Sequence, residues 1–95
     1  MRYAFGRALR DLRRAHGLTQ EDFAAVSSRT YLSALERGKK SPTLDKIHNL
    51  AGAIGVHLLS VLTVAFLYAQ DDDDLDGLLD QVRNEVTDLL NQEAP

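Results

Sequence analysis

LTQEDFAAVSSRTYLSALERGKKSPTL, residues 18–44, reads as two short helices joined by a brief connection. Thr19 with Asp22 three residues on has the pattern of a capping box, with Asp in the place of the usual Glu. Leu18 before the cap and Phe23 after it supply an apolar staple. The helix they open is short and ends near Ala25 or Val26. Ser27 or Ser28 caps the next helix, which turns Leu32 and Leu35 inward and stops at Gly38. Gly38–Thr43 follows as a basic loop.

Working outward, the same helical period continues on both sides. Upstream, Phe5, Ala8, Leu9, Leu12 and Ala15 make one apolar stripe of a helix over about Tyr3–His16, with Gly17 at its stop and arginines over the remaining surface. Downstream, Thr43 caps a helix over Leu44–Ile54, in which Leu44, Ile47, Leu50, Ala51 and Ile54 recur, and Gly55 ends it. A fifth helix, about Leu58–Tyr68, is apolar on nearly every face and must be covered on more than one side. Asp71–Asp74 is a charge run that reads as a hinge and places carboxylates at the positive end of a sixth helix. That helix spans about Leu75–Asn91, with Leu75, Leu79, Val82, Val86 and Leu89 at 4-3-4-3 spacing.

The charge is divided unevenly. Residues 1–55 carry ten Lys/Arg against five Asp/Glu, a balance of +5, and residues 56–95 carry one against nine, a balance of −8; the sum is −3. A basic half joined to an acidic half predicts that the first meets a polyanion and the second does something else. The absence of cysteine excludes disulfides, thiolate metal sites and cysteine nucleophiles, and fits a reducing compartment. Met1–Arg14 has five arginines and no uninterrupted apolar run, so it does not read as a secretory signal. Val56–Ala69, broken by His57, Ser60 and Thr63, is too short to span a bilayer.

Two short consecutive helices between flanking helices are the helix-turn-helix layout, whose second helix enters the major groove. The runs GLTQED, SRTYLSALERGKKSPTL and LAGAIGV, taken together, resemble the phage-repressor/Cro (xenobiotic-response-element) family of bacterial transcriptional regulators, over roughly residues 5–62. Gln20 sits at the start of the second helix, where backbone N–H groups point at a phosphate. Arg29 and Thr30 lie in the first turn of the third helix, with Ser33 and Ala34 one turn on along the same outward face. The resemblance implies that Arg29, Thr30 and Ala34 reach base edges. Arg29 suits a bidentate contact to a guanine O6/N7 edge, and Ala34 offers only apolar contact, as to a thymine methyl. Arg37, Lys39 and Lys40 extend the basic edge and suit phosphate contacts. The resemblance also implies an ion pair between Arg13 and Glu36 that bridges the first and third helices. Tyr31 either stacks on sugar or packs on the second helix.

The chain departs from the family in one place. The family ordinarily has a longer connection between the positions of Gln20 and Arg29, with a turn glycine; here it is AAVSS. Either the second helix is shortened or the turn is rebuilt around Ser27 and Ser28, and both tilt the third helix. Other chemistry finds little support. Asp72, Asp74, Asp76 and Gly77 match the opening of a calcium loop, but its last ligand position holds Arg83 where a bidentate Glu is required. His16, His48 and His57 make no metal-binding pair. The serines cluster at helix caps, where capping explains them. Neither an enzyme nor a metal or other cofactor is expected.

The expectation is therefore an all-α protein: a five-helix repressor-like domain over residues 1–70, then an acidic hinge and an additional C-terminal amphipathic helix over 71–95. Leu59, Leu62 and Phe66 of the fifth helix, with Leu75, Leu79, Val82, Val86 and Leu89 of the sixth, are the expected dimerisation surface. A homodimer would read a palindromic DNA operator with half-sites about 34–36 Å apart, in the cytoplasm and on the nucleoid, with no membrane contact and no small-molecule effector. Two other readings compete: the antitoxin of a toxin–antitoxin pair, and a protein-interaction module that binds a protein partner through the C-terminal helix.

Overall fold

The computed structural model describes residues 1–93; the last two residues of the expected C-terminal segment, 94 and 95, lie outside the described residues. Its elements are α1 (Arg2–Ala15), a 3-10 turn (Gln20–Phe23), α2 (Arg29–Glu36), α3 (Leu44–Ile54), α4 (Leu58–Ala69) and α5 (Leu75–Glu93). Every regular element among the described residues is helical. α1 packs chiefly against α4 and then α2, and α3 packs on α4.

The helix boundaries follow from local chemistry. Ser28 Oγ accepts from Tyr31 N–H at 3.1 Å and opens α2, and Thr43 Oγ1 accepts from Lys46 N–H at 3.1 Å and opens α3. His57 Nδ1 accepts from Leu59 N–H at 3.0 Å and opens α4. Asp74 Oδ1 accepts from Gly77 N–H at 2.9 Å and caps α5. α2 stops at Gly38, whose φ of +73° is open to glycine at little cost. There Lys39 N–H and Gly38 N–H return to the carbonyls of Ala34 and Leu35, which satisfies the last turn.

The second helical segment is a single 3-10 turn rather than an α-helix. The short AAVSS connection must return the chain to an extended conformation by Ser28, at φ −72° and ψ 152°. The Phe23 carbonyl is taken by both Val26 N–H and Ser27 N–H, which ends the coil after one turn. Asp22 Oδ2 holds the start of the turn by accepting from Thr19 N–H at 2.7 Å and Thr19 Oγ1 at 3.1 Å. Lys46 Nζ donates to the Val26 carbonyl and lies 5.4 Å from the centre of the Tyr31 ring. Tyr31 packs against the core beneath it.

One core joins Phe5, Ala8, Leu9, Phe23, Leu32, Leu35, Ile47, Leu50, Ala51, Ile54, Val61 and Ala65. Ala15 and Leu44, expected on inward stripes, are exposed at their helix ends. α1 and α2 meet at Gly6. A Cβ placed there would lie 2.3 Å from the Leu35 carbonyl oxygen, so the two backbones approach as closely as they do only because residue 6 has no side chain. The opposite side of α1 is tied to α4. Tyr68 Oη donates to Asp11 Oδ2 at 2.7 Å, which raises the phenol's pKa above its ordinary value, and the Arg7 guanidinium lies 4.2 Å from the centre of the same ring.

The fifth helical segment of the chain, α4, buries Val61 and Ala65 but leaves Leu59 and Phe66 exposed. No single helix among the described residues is long and apolar enough to cross a membrane. α5 faces α4 across an apolar groove but buries little of its own surface there. Of its described side chains only Leu78 is half-buried, and the apolar stripe from Leu75 to Leu89 is 40–55% exposed.

The buried ion pair of Arg13 and Glu36 is the other lock on α1 and α2. Arg13 Nε donates to Glu36 Oε2 at 2.7 Å and a second guanidinium nitrogen to Oε1 at 2.8 Å, while the third nitrogen donates to the Leu18 carbonyl at 2.9 Å. Arg13→Ala or Glu36→Ala should each destabilise the fold by about 3–5 kcal/mol, because a lone charge stays buried. A double-mutant cycle by denaturant unfolding checks this; coupling near zero would show two independent charges. Gly6→Ala should cost at least about 1–3 kcal/mol in the same assay, since the obstruction is backbone and cannot rotate away.

Candidate nucleic-acid interface

α2 presents one face to solvent because Leu32 and Leu35 fix the opposite face in the core. Arg29 and Thr30 are exposed at its head, Ser33 is half-exposed one turn later, and Arg37 is exposed just past its end. With Gln20 from the 3-10 turn, these four line a shallow groove of about 340 Å³. Five of the eight residues expected to meet DNA are thus brought together on one surface. Lys39 and Lys40 are exposed in the loop beyond Gly38.

Ala34 does not join that surface. Its residue is 9% exposed, at the last turn of α2 where the chain folds back through Gly38 and Lys39 N–H binds the Ala34 carbonyl. The methyl expected to offer apolar contact is therefore largely withdrawn from solvent.

Gln20 is half-buried and Nε2 donates to Glu36 Oε1 at 3.2 Å. The carboxylate that neutralises Arg13 therefore also orients the first side chain of the turn. The Arg13 pKa is raised above its ordinary value by its hydrogen bond to Glu36.

The sequence reading missed Glu21. Its Oε1 lies 3.2 Å from an Arg29 guanidinium nitrogen, and both side chains are more than two-thirds exposed. An exposed pair of this kind is worth about 0–1 kcal/mol, so Arg29 can exchange the carboxylate for a base edge at small cost. The contact spans eight residues across the turn. It depends on the tilt of α2 against the 3-10 turn, and the spacing in the chain carries no signal for it.

The surface is therefore a basic helix head buttressed from behind by buried charges, with polar side chains of a size that fits the major groove. Comparisons with known proteins agree with that geometry. Residues 9–61, more than half the chain, match the helix-turn-helix family. The chain is 45% identical over 65 residues to an HTH-type transcriptional regulator, y4dJ, of Sinorhizobium fredii, a match that covers 66% of this chain and 84% of that protein. It is 39% identical over 56 residues to the HTH-type transcriptional regulator DdrOP3 of Deinococcus deserti, covering 57% of this chain and 43% of that one. Among solved structures it is similar to the restriction-modification controller protein C.AhdI of Aeromonas hydrophila, with a TM-score of 0.59, 36% identity and coverage of 62% and 92% of the two chains. It is also similar to the clp gene regulator ClgR of Corynebacterium glutamicum, with a TM-score of 0.66, 30% identity and coverage of 99% and 94%. The chain belongs to the Cro-like helix-turn-helix family of DNA-binding transcriptional regulators.

Proposed function

We propose that this chain is a sequence-specific regulator that acts as a homodimer on a palindromic operator, in the cytoplasm and on the nucleoid. The observation that carries the proposal is the grouping of Gln20, Arg29, Thr30, Ser33 and Arg37 along the solvent side of α2, from the 3-10 turn before it to just past its end. Arg29 reads a guanine, and Thr30 and Ser33 contact neighbouring base edges. Gln20, Arg37, Lys39 and Lys40 hold phosphates and set register. The similar solved structures include a restriction-modification controller and a clp gene regulator, both named for control of defined genes, which supports a specific operator rather than general DNA coating.

The dimer reading rests on apolar surface left without cover. Leu59 is 59% exposed and Phe66 45% exposed. With Leu62 they line one side of an apolar groove of about 380 Å³, and Leu79 and Val82 of α5 line the other. The stripe continues through Leu75, Val86 and Leu89. A symmetric contact between two copies would bury it on both, at about 1.5–3 kcal/mol per large side chain before ordering costs.

Arg29→Ala should weaken binding to the cognate operator by about 1–3 kcal/mol and relax discrimination at one base pair per half-site, as read by fluorescence anisotropy on a substituted operator series. Lys39→Ala should instead weaken operator and random duplex alike and lower the salt slope by about one unit. Equal weakening by Arg29→Ala on both duplexes would make Arg29 a phosphate contact. For the dimer, Val82→Asp with Val86→Asp in the full chain should shift sedimentation towards monomer and lower affinity for the full operator far more than for a half-site. An unchanged dimer would assign the interface to α4 alone.

A further inference from the structure

Behind the groove at the head of α2 lies a larger cleft of about 600 Å³ between α1, the 3-10 turn and α2. Five arginines line it, Arg10, Arg13, Arg14, Arg29 and Arg37, against Glu21 and Glu36, a formal balance of +3. Arg13 is paired with Glu36 and Arg29 with Glu21, and Arg10 has only a long contact of 3.6 Å to Asp11. The least compensated charge therefore resides in Arg14 and Arg37, and then in Arg10. Arg37 belongs to the interface already described. Arg10 and Arg14 do not; they stand four residues apart on α1 and share one side of that helix.

Arg10 is incompletely satisfied. Its Nε is buried without a hydrogen-bond partner among the described residues. The nearest carboxylate oxygen, Asp11 Oδ1, is 3.6 Å away, beyond hydrogen-bonding distance. The other Asp11 oxygen is taken by Tyr68 Oη. The Arg10 side chain as a whole is 38% exposed, and with Arg14 beside it and Arg37 across the cleft it offers N–H donors to the several acceptor oxygens of a phosphate.

We propose that this cleft is a phosphate-binding site in which Arg10 and Arg14 hold a backbone phosphodiester of duplex DNA. The assignment rests on the DNA-binding reading above. Continuity favours a polymer over a free anion. Gln20, Arg29, Ser33 and Arg37 line both this cleft and the outer groove, so a strand whose bases face the head of α2 continues past Arg37 towards α1. The contact extends the interface to the first helix and adds affinity without adding sequence preference.

The test uses the full chain and a random-sequence 30-base-pair duplex, with affinity measured by anisotropy across a salt series. R10Q/R14Q should lower the slope of log K against log salt by about 1.8, from about 0.9 per lost contact, and weaken binding on the order of 60-fold at 0.1 M salt. R2Q/R7Q removes the same charge from α1 outside the cleft and should leave the slope near that of the wild type. Because Arg14 is exposed, R14Q alone repeats the measurement without disturbing the fold and should lower the slope by about 0.9. Equal slopes for R10Q/R14Q and R2Q/R7Q would overturn the site in favour of diffuse electrostatics. Calorimetry with inorganic pyrophosphate separates the sources. Micromolar binding that R10Q/R14Q abolishes, with the duplex slope unchanged, would overturn the DNA assignment and give the cleft to a small phosphorylated ligand. Failure of the wild type to bind the duplex at all would remove the DNA-binding reading together with this one, whereas the first two results leave that reading standing.

Discussion

Arg13 and Glu36 are buried together at the point where α1, the 3-10 turn and α2 converge, and the geometry of the DNA-facing surface depends on that pair. Either charge alone would be costly in the interior, so neither helix can move without its partner. The pair is also saturated. Arg13 makes two bonds to the carboxylate and one to the Leu18 carbonyl, and Glu36 accepts one more from Gln20. The end of α1, the entry to the turn and the end of α2 are thereby fixed at one point. Gly6 sets a second point about two turns back along α1, where backbone meets backbone. Two points define the crossing of α1 on α2, and with it the direction in which Arg29 and Thr30 are aimed.

This arrangement separates stability from recognition. Behind α2, Leu32 and Leu35 are fully buried and the charges are paired. In front, the one ion pair on the recognition face is exposed and weak. The Glu21 carboxylate beside Arg29 has a second physical effect. If Arg29 reads a base as proposed, this negative charge would oppose the approach of phosphates wherever no base contact to the guanidinium compensates for it. A helix head carrying arginine alone would bind any duplex more readily and distinguish fewer of them.

What could be read from the chain follows the range of the interactions. Caps and stops at Thr19, Ser28, Thr43, Gly38 and Gly55 involve neighbours within a few residues, and the sequence pattern placed them. The inward faces of α1, α2 and α3 followed from helical period, apart from Ala15 and Leu44 at the ends, where the period no longer points at the core. The choice between a shortened helix and a rebuilt turn in AAVSS was not legible, because it is decided by Phe23, Val26, Ser27 and the reach of Lys46 from another helix. Helical angle alone puts Ala34 outward, yet in the folded chain it is only 9% exposed at the last turn of α2. Glu21 and Gly6 acquire their roles only through contacts between separate segments, for which spacing gives no sign.

The acidic helix gives the remaining constraint. A helix of 19 residues whose apolar stripe lies open to water lacks the packing of an amphipathic face from which most helical stability in proteins comes. Within its own chain α5 gains little more than the cap at Asp74 and the partial burial of Leu78. Its order must therefore be coupled to whatever covers the stripe. In the proposed dimer the cover is the second copy, and ordering of α5, subunit contact and the pairing of two recognition helices become one linked equilibrium. The charge of the segment acts in the same direction. Nine acidic residues against one arginine after residue 55 would be repelled by DNA phosphates, which in the proposed complex favours α5 pointing away from the duplex. In the proposed dimer the division of charge along the chain would be a division of tasks, with the basic half facing the duplex and the acidic half joining the two copies.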